Sequence, residues 1–231
     1  MTPNDHSEHP AIQCTAMSGP SPLRSDGRLA GFGPQLGVVA AAALAVRVAF
    51  ILVVDPTVPR VGDASAYHLL ANNLADGHGY IRPFDLQLLD RTRPTAEYPP
   101  LFPAFLSVAS LLGLRGVVAQ RLLMGAVGTA TVVAIGLLGR RVGGPVVGVV
   151  AAAVAAFYPM LFLSDAVLMA ETPFLLLVTL ALLLAYWAAA APSAGRFVAL
   201  GAVLGASALT RAEGLALAVV LVVPLAASLR E

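Results

Sequence analysis

Long apolar runs alternate with short polar breaks along this chain, and most of its charges sit in the breaks. The runs at 35–54, 117–138, 145–163, 172–191, 197–209 and 215–229 predict helices that cross or enter a membrane. About twenty apolar residues at ~1.5 Å each span a hydrocarbon core of ~30 Å. The run at 99–112, PPLFPAFLSVASLL, has fourteen residues and is short for a span, so it is expected to re-enter or lie along the surface. The pattern therefore predicts an all-α fold, a polytopic transmembrane helix bundle.

One interruption differs from the others. Residues 61–80, VGDASAYHLLANNLADGHGY, gather Asp63, His68, Asn72, Asn73, Asp76 and His78, a polar group that is expected to meet water or substrate. Ala66, Leu69, Leu70 and Leu74 recur at spacings of three and four, while Ser65, His68, Asn72 and Asp76 fall opposite them. That is the pattern of an amphipathic helix lying at the membrane surface. Asp63 is expected at its N-cap, with Gly77 and Gly79 supplying permissive backbone where it stops. A cap is the plain structural role for Asp63, and it is compatible with chemistry, because one carboxylate oxygen can cap while the other faces solvent. The whole polar stretch 55–98 reads as an external loop, longer than a connector needs to be.

Composition narrows the class. The chain has 231 residues, 58% of them hydrophobic, and a mean hydropathy of +0.82, well above soluble domains. It reads as an integral membrane protein. The net charge is +1 and every basic residue is Arg, with no basic run, so nucleic-acid binding has no electrostatic footprint. The single Cys14 excludes a disulfide framework and a cysteine metal cluster, and the four histidines do not have metal-ligand spacing. Residues 1–34, rich in Pro, Ser, Gly, Asp and His, are expected to form a disordered cytoplasmic tail; Arg24 and Arg28 before the first span keep it inside.

Charge placement also sets the expected topology. If 99–112 crosses, Arg140 and Arg141 lie outside and Asp165 with Glu171 inside. If it only re-enters or lies along the surface, Arg140, Arg141, Arg196 and Arg230 are cytoplasmic and Asp165 and Glu171 return to the outer face beside Asp63. The second arrangement satisfies the arginine bias and is preferred. Several charges within or between apolar runs need partners. Arg47 snorkels or faces the bundle interior. Arg91, Arg93 and Glu97 lie in RTRPTAEYPPL and are either solvated loop charges or a phosphate-binding group. Asp165 and Glu171 bracket SDAVLMAE and either shape a loop or form a second acidic site. Arg211 and Glu213 in LTRAEGL call for a mutual pair, a water-filled cavity or an anionic head group. The pairs Gly144 with Gly148 and Gly201 with Gly205 have the GxxxG spacing that permits close helix approach.

The order of these features resembles the GT-C superfamily of integral-membrane glycosyltransferases. A first span is followed by GDASAYHLLANNLADGHGY, then AEYPPLFPAFL, then LLGRRVGGPVVGVVAAAVAAFYPMLFLSDAVLMAETPFLLL and finally GASALTRAEGLAL. Within the superfamily the chain is most similar to the protein mannosyltransferase and aminoarabinose transferase group, from about Gly37 onward. The resemblance implies a catalytic acid at the start of the first external loop, matched by Asp63, and interfacial helices in that loop. It places Glu97 where some aminoarabinose transferases bind a metal, and it matches the Pro-Pro-Leu motif to Pro99, Pro100 and Leu101. Tyr98 stands where those enzymes often carry Lys. The later external acid resembles Asp165 or Glu171, and the basic residue after Leu-Thr matches Arg211. Members usually continue through further spans, so the chain is expected to correspond to their N-terminal catalytic part (35–231).

The resemblance further implies a polyprenyl-phosphate sugar as donor, a glycan, lipid or protein hydroxyl as acceptor, and reaction at the external face of a bacterial plasma membrane with inversion. Asp63 is then the general base. Arg211, with Arg91 or Arg93, would receive the leaving phosphate, a role that a divalent metal could share. The competing class is a non-catalytic lipid-binding or transporter-type membrane protein, which broken, Gly-rich helices also suit. Against it stand the absence of an apparent inverted repeat and the concentration of acids in one loop.

Overall fold

The computed structural model describes residues 26–54 and 62–228, and helices dominate it. α1 (Asp26–Ala49) carries Pro34 inside it and continues as one π-helical turn, Phe50–Val54. The helix thus begins before the apolar run that predicts the first span; residues 1–25 of the expected tail lie outside the described residues. α2 (Asp63–Ala75) and the short α3 (Asp85–Leu89) follow in the polar stretch, then α4 (Leu101–Leu111). The rest is α5 (Val117–Phe157), α6 (Pro159–Val167), α7 (Glu171–Ala190), α8 (Ala194–Thr210) and α9 (Glu213–Ser228).

Among the described residues, three helical stretches are long and apolar enough to cross a membrane: Gly31–Val53, Val117–Phe157 and Glu171–Ala190. The second has 41 residues, about twice what a bilayer core needs, and it is not one rod. Gly144 has φ 86°, outside the helical region, which glycine adopts without a Cβ penalty. It turns α5 into a hairpin with arms 117–143 and 145–157, and Pro145 starts the second arm where a missing N–H costs nothing. The arms lie close because small residues face each other: a Cβ on Gly139 would stand 3.1 Å from the Gly148 Cα, and one on Gly136 would stand 3.1 Å from the Ala152 Cβ.

The two GxxxG pairs have different fates. Gly148 meets the Gly136 carbonyl and the Phe32 ring, so close approach is realised there, while Gly201 and Gly205 face open space. Spacing permits contact without requiring it.

α1 packs along the α5 hairpin through Phe32, Leu36, Ala43, Val132 and Ala152. On its other side α5 meets α7, which packs on α8, and α8 on α9, around Ala181, Leu200 and Leu204. A third cluster joins α2, α4, α5 and the α6–α7 turn: Tyr67, Ala71, Phe102, Leu106, Met124 and Leu168.

That third cluster settles the lie of α4. Its first turn packs on Tyr67 through Phe102, and at its last turn Ser110 bonds to Asn72 of α2 and to Gln120 of α5. Both of its ends therefore sit at the same end of the bundle, and at 11 residues it reaches only about 16 Å. It packs along α2 at that end.

Candidate active site

The site is built where the polar stretch folds back onto the ends of α5, α7 and α8. α2 is held there by a hydrogen-bonded network. His68 Nδ1 and Gln120 Oε1 are 2.8 Å apart, Gln120 donates to the Ser110 hydroxyl at 3.0 Å, and Ser110 donates to Asn72 Oδ1 at 2.8 Å. Arg115 forks onto both oxygens of Asp76 at 2.7 Å. His68 and Asn72 thus do not form the water-facing surface that their spacing suggests. The helix is covered on two sides, by α4 and by the start of α5, and its polar face becomes an internal staple.

Asp63 stands free of that staple. The N-cap is Gly62, at φ 127°, and Asp63 is the first helical residue, with no side-chain cap bond. This corrects the expected cap. A carboxylate in the first turn still favours the helix through its dipole, while both oxygens stay available. Asp63 is exposed, and the Tyr98 hydroxyl donates to its Oδ1 at 3.4 Å.

Tyr98 is aimed by its neighbours. Its ring meets Tyr67 edge-on at 5.0 Å, and Tyr67 meets Phe102 at 4.8 Å. The Tyr80 hydroxyl donates to the Tyr98 carbonyl at 2.7 Å, and the Glu97 amide donates to Thr95 Oγ1 at 3.2 Å. Glu97, Pro99 and Pro100 consequently line an open cavity of about 400 Å³ with Tyr80 and Tyr98. Burial is the main cause that pushes the Tyr67 phenol up to about 12, with Asp63 and Glu171 adding to it and Arg211 opposing. Those three charges therefore all lie near enough to the Tyr67 hydroxyl to act on it. Tyr98 is also raised, first by burial and then by Asp63 and Glu97, so it remains a donor at any working pH.

Asp165 and Glu171 take different arginine partners although both line one cavity of about 230 Å³. Glu171, at the first turn of α7, receives a hydrogen bond from Arg211, which also donates to Glu213 at 2.9 Å. Asp165 is buried and ion-paired with Arg47 at 2.6 Å. Gly125 and Gly128 make room for this pair: a Cβ on Gly128 would overlap the Asp165 carboxylate. Of the two orientations open to Arg47, the structure takes the inward one. Arg91 and Arg93 lie in the exposed loop after α3, where Arg93 approaches Asp85 at 3.8 Å. Among the described residues no three His, Cys, Asp or Glu side chains are grouped to hold a metal. Glu97 is exposed beside Tyr98, whose ionisation both it and Asp63 shift.

Two positions that shape the site escaped the sequence reading. Tyr67 lies one turn after Asp63 on α2, a spacing that puts both on one face. Arg121 is wholly buried and donates to the Ala166 carbonyl, at the end of α6, where a cation suits the helix dipole. The next residue but one, Leu168, has φ 62°, a left-handed conformation that costs a branched side chain about 1–2 kcal/mol. Its complete burial and the Arg121 bond hold the turn that delivers Glu171. An Arg within VVAQRLLMG was the available signal.

Among the described residues, an all-helical bundle with helices long and apolar enough to cross a membrane carries an exposed carboxylate, tyrosines and a paired arginine, the make-up of an integral membrane protein. Residues 97–231 match the family model described as dolichyl-phosphate-mannose-protein mannosyltransferase, more than half of the chain. The chain belongs to that family and is a membrane glycosyltransferase of the GT-C type that uses a lipid-linked sugar donor. No curated protein and no solved structure matches it. The family match begins at Glu97, so it includes Asp165, Glu171 and Arg211 but not Asp63.

Proposed function

We propose that the chain transfers a sugar from a polyprenyl-phosphate donor to an acceptor hydroxyl, with inversion, at the end of the bundle that carries Asp63. What supports this reading is an exposed carboxylate, Asp63, held by the Tyr98 hydroxyl, with Glu171 and the cation of Arg211 near enough to act with it on the buried Tyr67 phenol. The acceptor oxygen forms its bond to the anomeric carbon as the bond from that carbon to the donor phosphate breaks. The proton passes to Asp63. The polyprenyl phosphate leaves as an anion, and Arg211 exchanges part of its pairing with Glu171 and Glu213 for that charge. Tyr98 holds the Asp63 carboxylate towards the acceptor. Arg91 and Arg93, in the exposed loop, take second place to Arg211 for the phosphate, and no step is assigned to a metal.

The site end is the external one in this reading, with the N-terminus, Arg140, Arg141 and Arg196 in the cytoplasm. Grouping of the three arginines around one cavity, away from Asp63, supports it.

The test is Asp63→Asn in proteoliposomes supplied with polyprenyl-phosphate mannose and a hydroxyl-bearing peptide. Asn still accepts the Tyr98 bond and gives up only the dipole interaction, about 0.3–1 kcal/mol, whereas loss of a positioned base lowers the rate by about 10² to 10⁴. Retained turnover would move the base to Glu171.

A further inference from the structure

We propose that the arginine end of the bundle binds the headgroup of an anionic phospholipid, its phosphate held among Arg140, Arg141 and Arg196. These three arginines line one open cavity of about 640 Å³ between α5, α7 and the start of α8, together with Trp187, Leu137 and Leu183. No carboxylate lines it. Elsewhere Arg47, Arg93, Arg115 and Arg211 each have an acidic partner.

Two of the three cations are fixed in advance. Arg196 donates to the Trp187 carbonyl at 3.2 Å and to the Ala191 carbonyl at 2.5 Å, and its guanidinium lies 4.3 Å from the centre of the Trp187 ring. Arg140 stacks over Phe32 at 4.7 Å. Neither stacking nor carbonyl bonding neutralises charge. Arg141 is exposed and makes no hydrogen bond, ion pair or ring contact among the described residues. The N-terminus of α8 opens two residues before Arg196 and adds its partial positive charge.

The general bias of arginine toward one side of a membrane accounts for basic loops there. It does not account for three guanidinia converging on one concavity. The wall argues for a lipid over a soluble anion: Leu137 and Leu183 continue it along apolar faces of α5 and α7, and the half-exposed Trp187 indole is of the kind found at headgroup depth. The volume falls within the range of small-ligand sites, and basic pockets between helices suit phosphate headgroups.

The experiment is native mass spectrometry of the full chain in detergent with added phosphatidylglycerol or phosphatidylcholine. The wild type should retain phosphatidylglycerol preferentially, Arg141→Gln should weaken that retention about fivefold, and Arg140→Gln with Arg141→Gln should weaken it further. Arg82→Gln, at an exposed loop arginine, should leave it unchanged. Thermal unfolding of Arg141→Gln should match the wild type, since the side chain has no packing role. Equal retention of the two lipids by the wild type, undiminished retention by the double variant, or an equal loss with Arg82→Gln would overturn the proposal. So would inorganic phosphate at millimolar concentration occupying the site in place of the lipid, which would make the ligand a soluble anion.

Discussion

Two arginine–carboxylate pairs tie this bundle together, and they differ in nearly everything except chemistry. Arg47 and Asp165 are 1% and 5% exposed, and they sit against the glycines of α5. Arg47 also donates to the Ala43 and Ala156 carbonyls at 3.1 and 3.4 Å. Arg211 and Glu171 are 31% and 45% exposed, and Arg211 divides its donors between Glu171 and Glu213. The enclosed pair joins α1 to α6 and borders one cavity of about 230 Å³ that Glu171 also lines. The open pair is held loosely by water-screened attraction, and a phosphate dianion can compete for it. An arginine–carboxylate pair thus serves structure where burial is complete and, in the proposed mechanism, chemistry where it is partial.

Removing one partner from each pair gives the sharpest contrast. Arg47→Met leaves Asp165 charged and buried without compensation, which should cost about 3–5 kcal/mol, seen as a large fall in thermal unfolding temperature in detergent. Arg211→Gln should change stability by less than about 1 kcal/mol, the scale of exposed pairs, yet lower transfer from polyprenyl-phosphate mannose by about 10² to 10³. If Arg211→Gln unfolded the protein and Arg47→Met did not, the assignment of roles would be reversed.

Glycine replacements probe the same contrast through packing. Gly128→Ala forces its methyl group into the Asp165 carboxylate and should cost about 1–3 kcal/mol. Gly201→Ala, with nothing within 4 Å of the added carbon, should be neutral or mildly stabilising, by up to about 1 kcal/mol of helix propensity. Unfolding curves for the two variants side by side test this.

The smallest effect concerns two tyrosines beside the site, Tyr67 in the core cluster under it and Tyr80 at its cavity. Tyr67 and Tyr80 are pushed up to about 12, chiefly by burial. Because the folded value is raised, the stability that each neutral phenol contributes is complete below about pH 10 and is lost as pH rises through 12. Absorbance titration of tyrosinate should show these two ionising last, and Tyr67→Phe should remove one late step.

Much of the fold is legible in the residue pattern because hydropathy and helical period are local properties. The runs at 117–138 and 145–163 announce two arms, and Gly143–Gly144–Pro145 between them announces the turn; the polar group at 61–80 marks the site. Asp63 stands out for the same reason, as an acid opening an amphipathic helix. What the sequence by itself determined is therefore an all-helical membrane chain with one polar stretch placed against its apolar spans. Which acid belongs to which arginine is a different kind of fact. Asp165 and Glu171 are six positions apart in one short segment, and both look equally able to join Asp63. Only the tertiary structure buries Asp165 against an arginine 118 residues away and turns Glu171 toward Arg211. Likewise His68 and Asn72 have the spacing of a wetted face, but α4 and α5 close over them. The physical reason is that a side chain's charge is written in the sequence, whereas its burial is decided by what the rest of the chain packs against it.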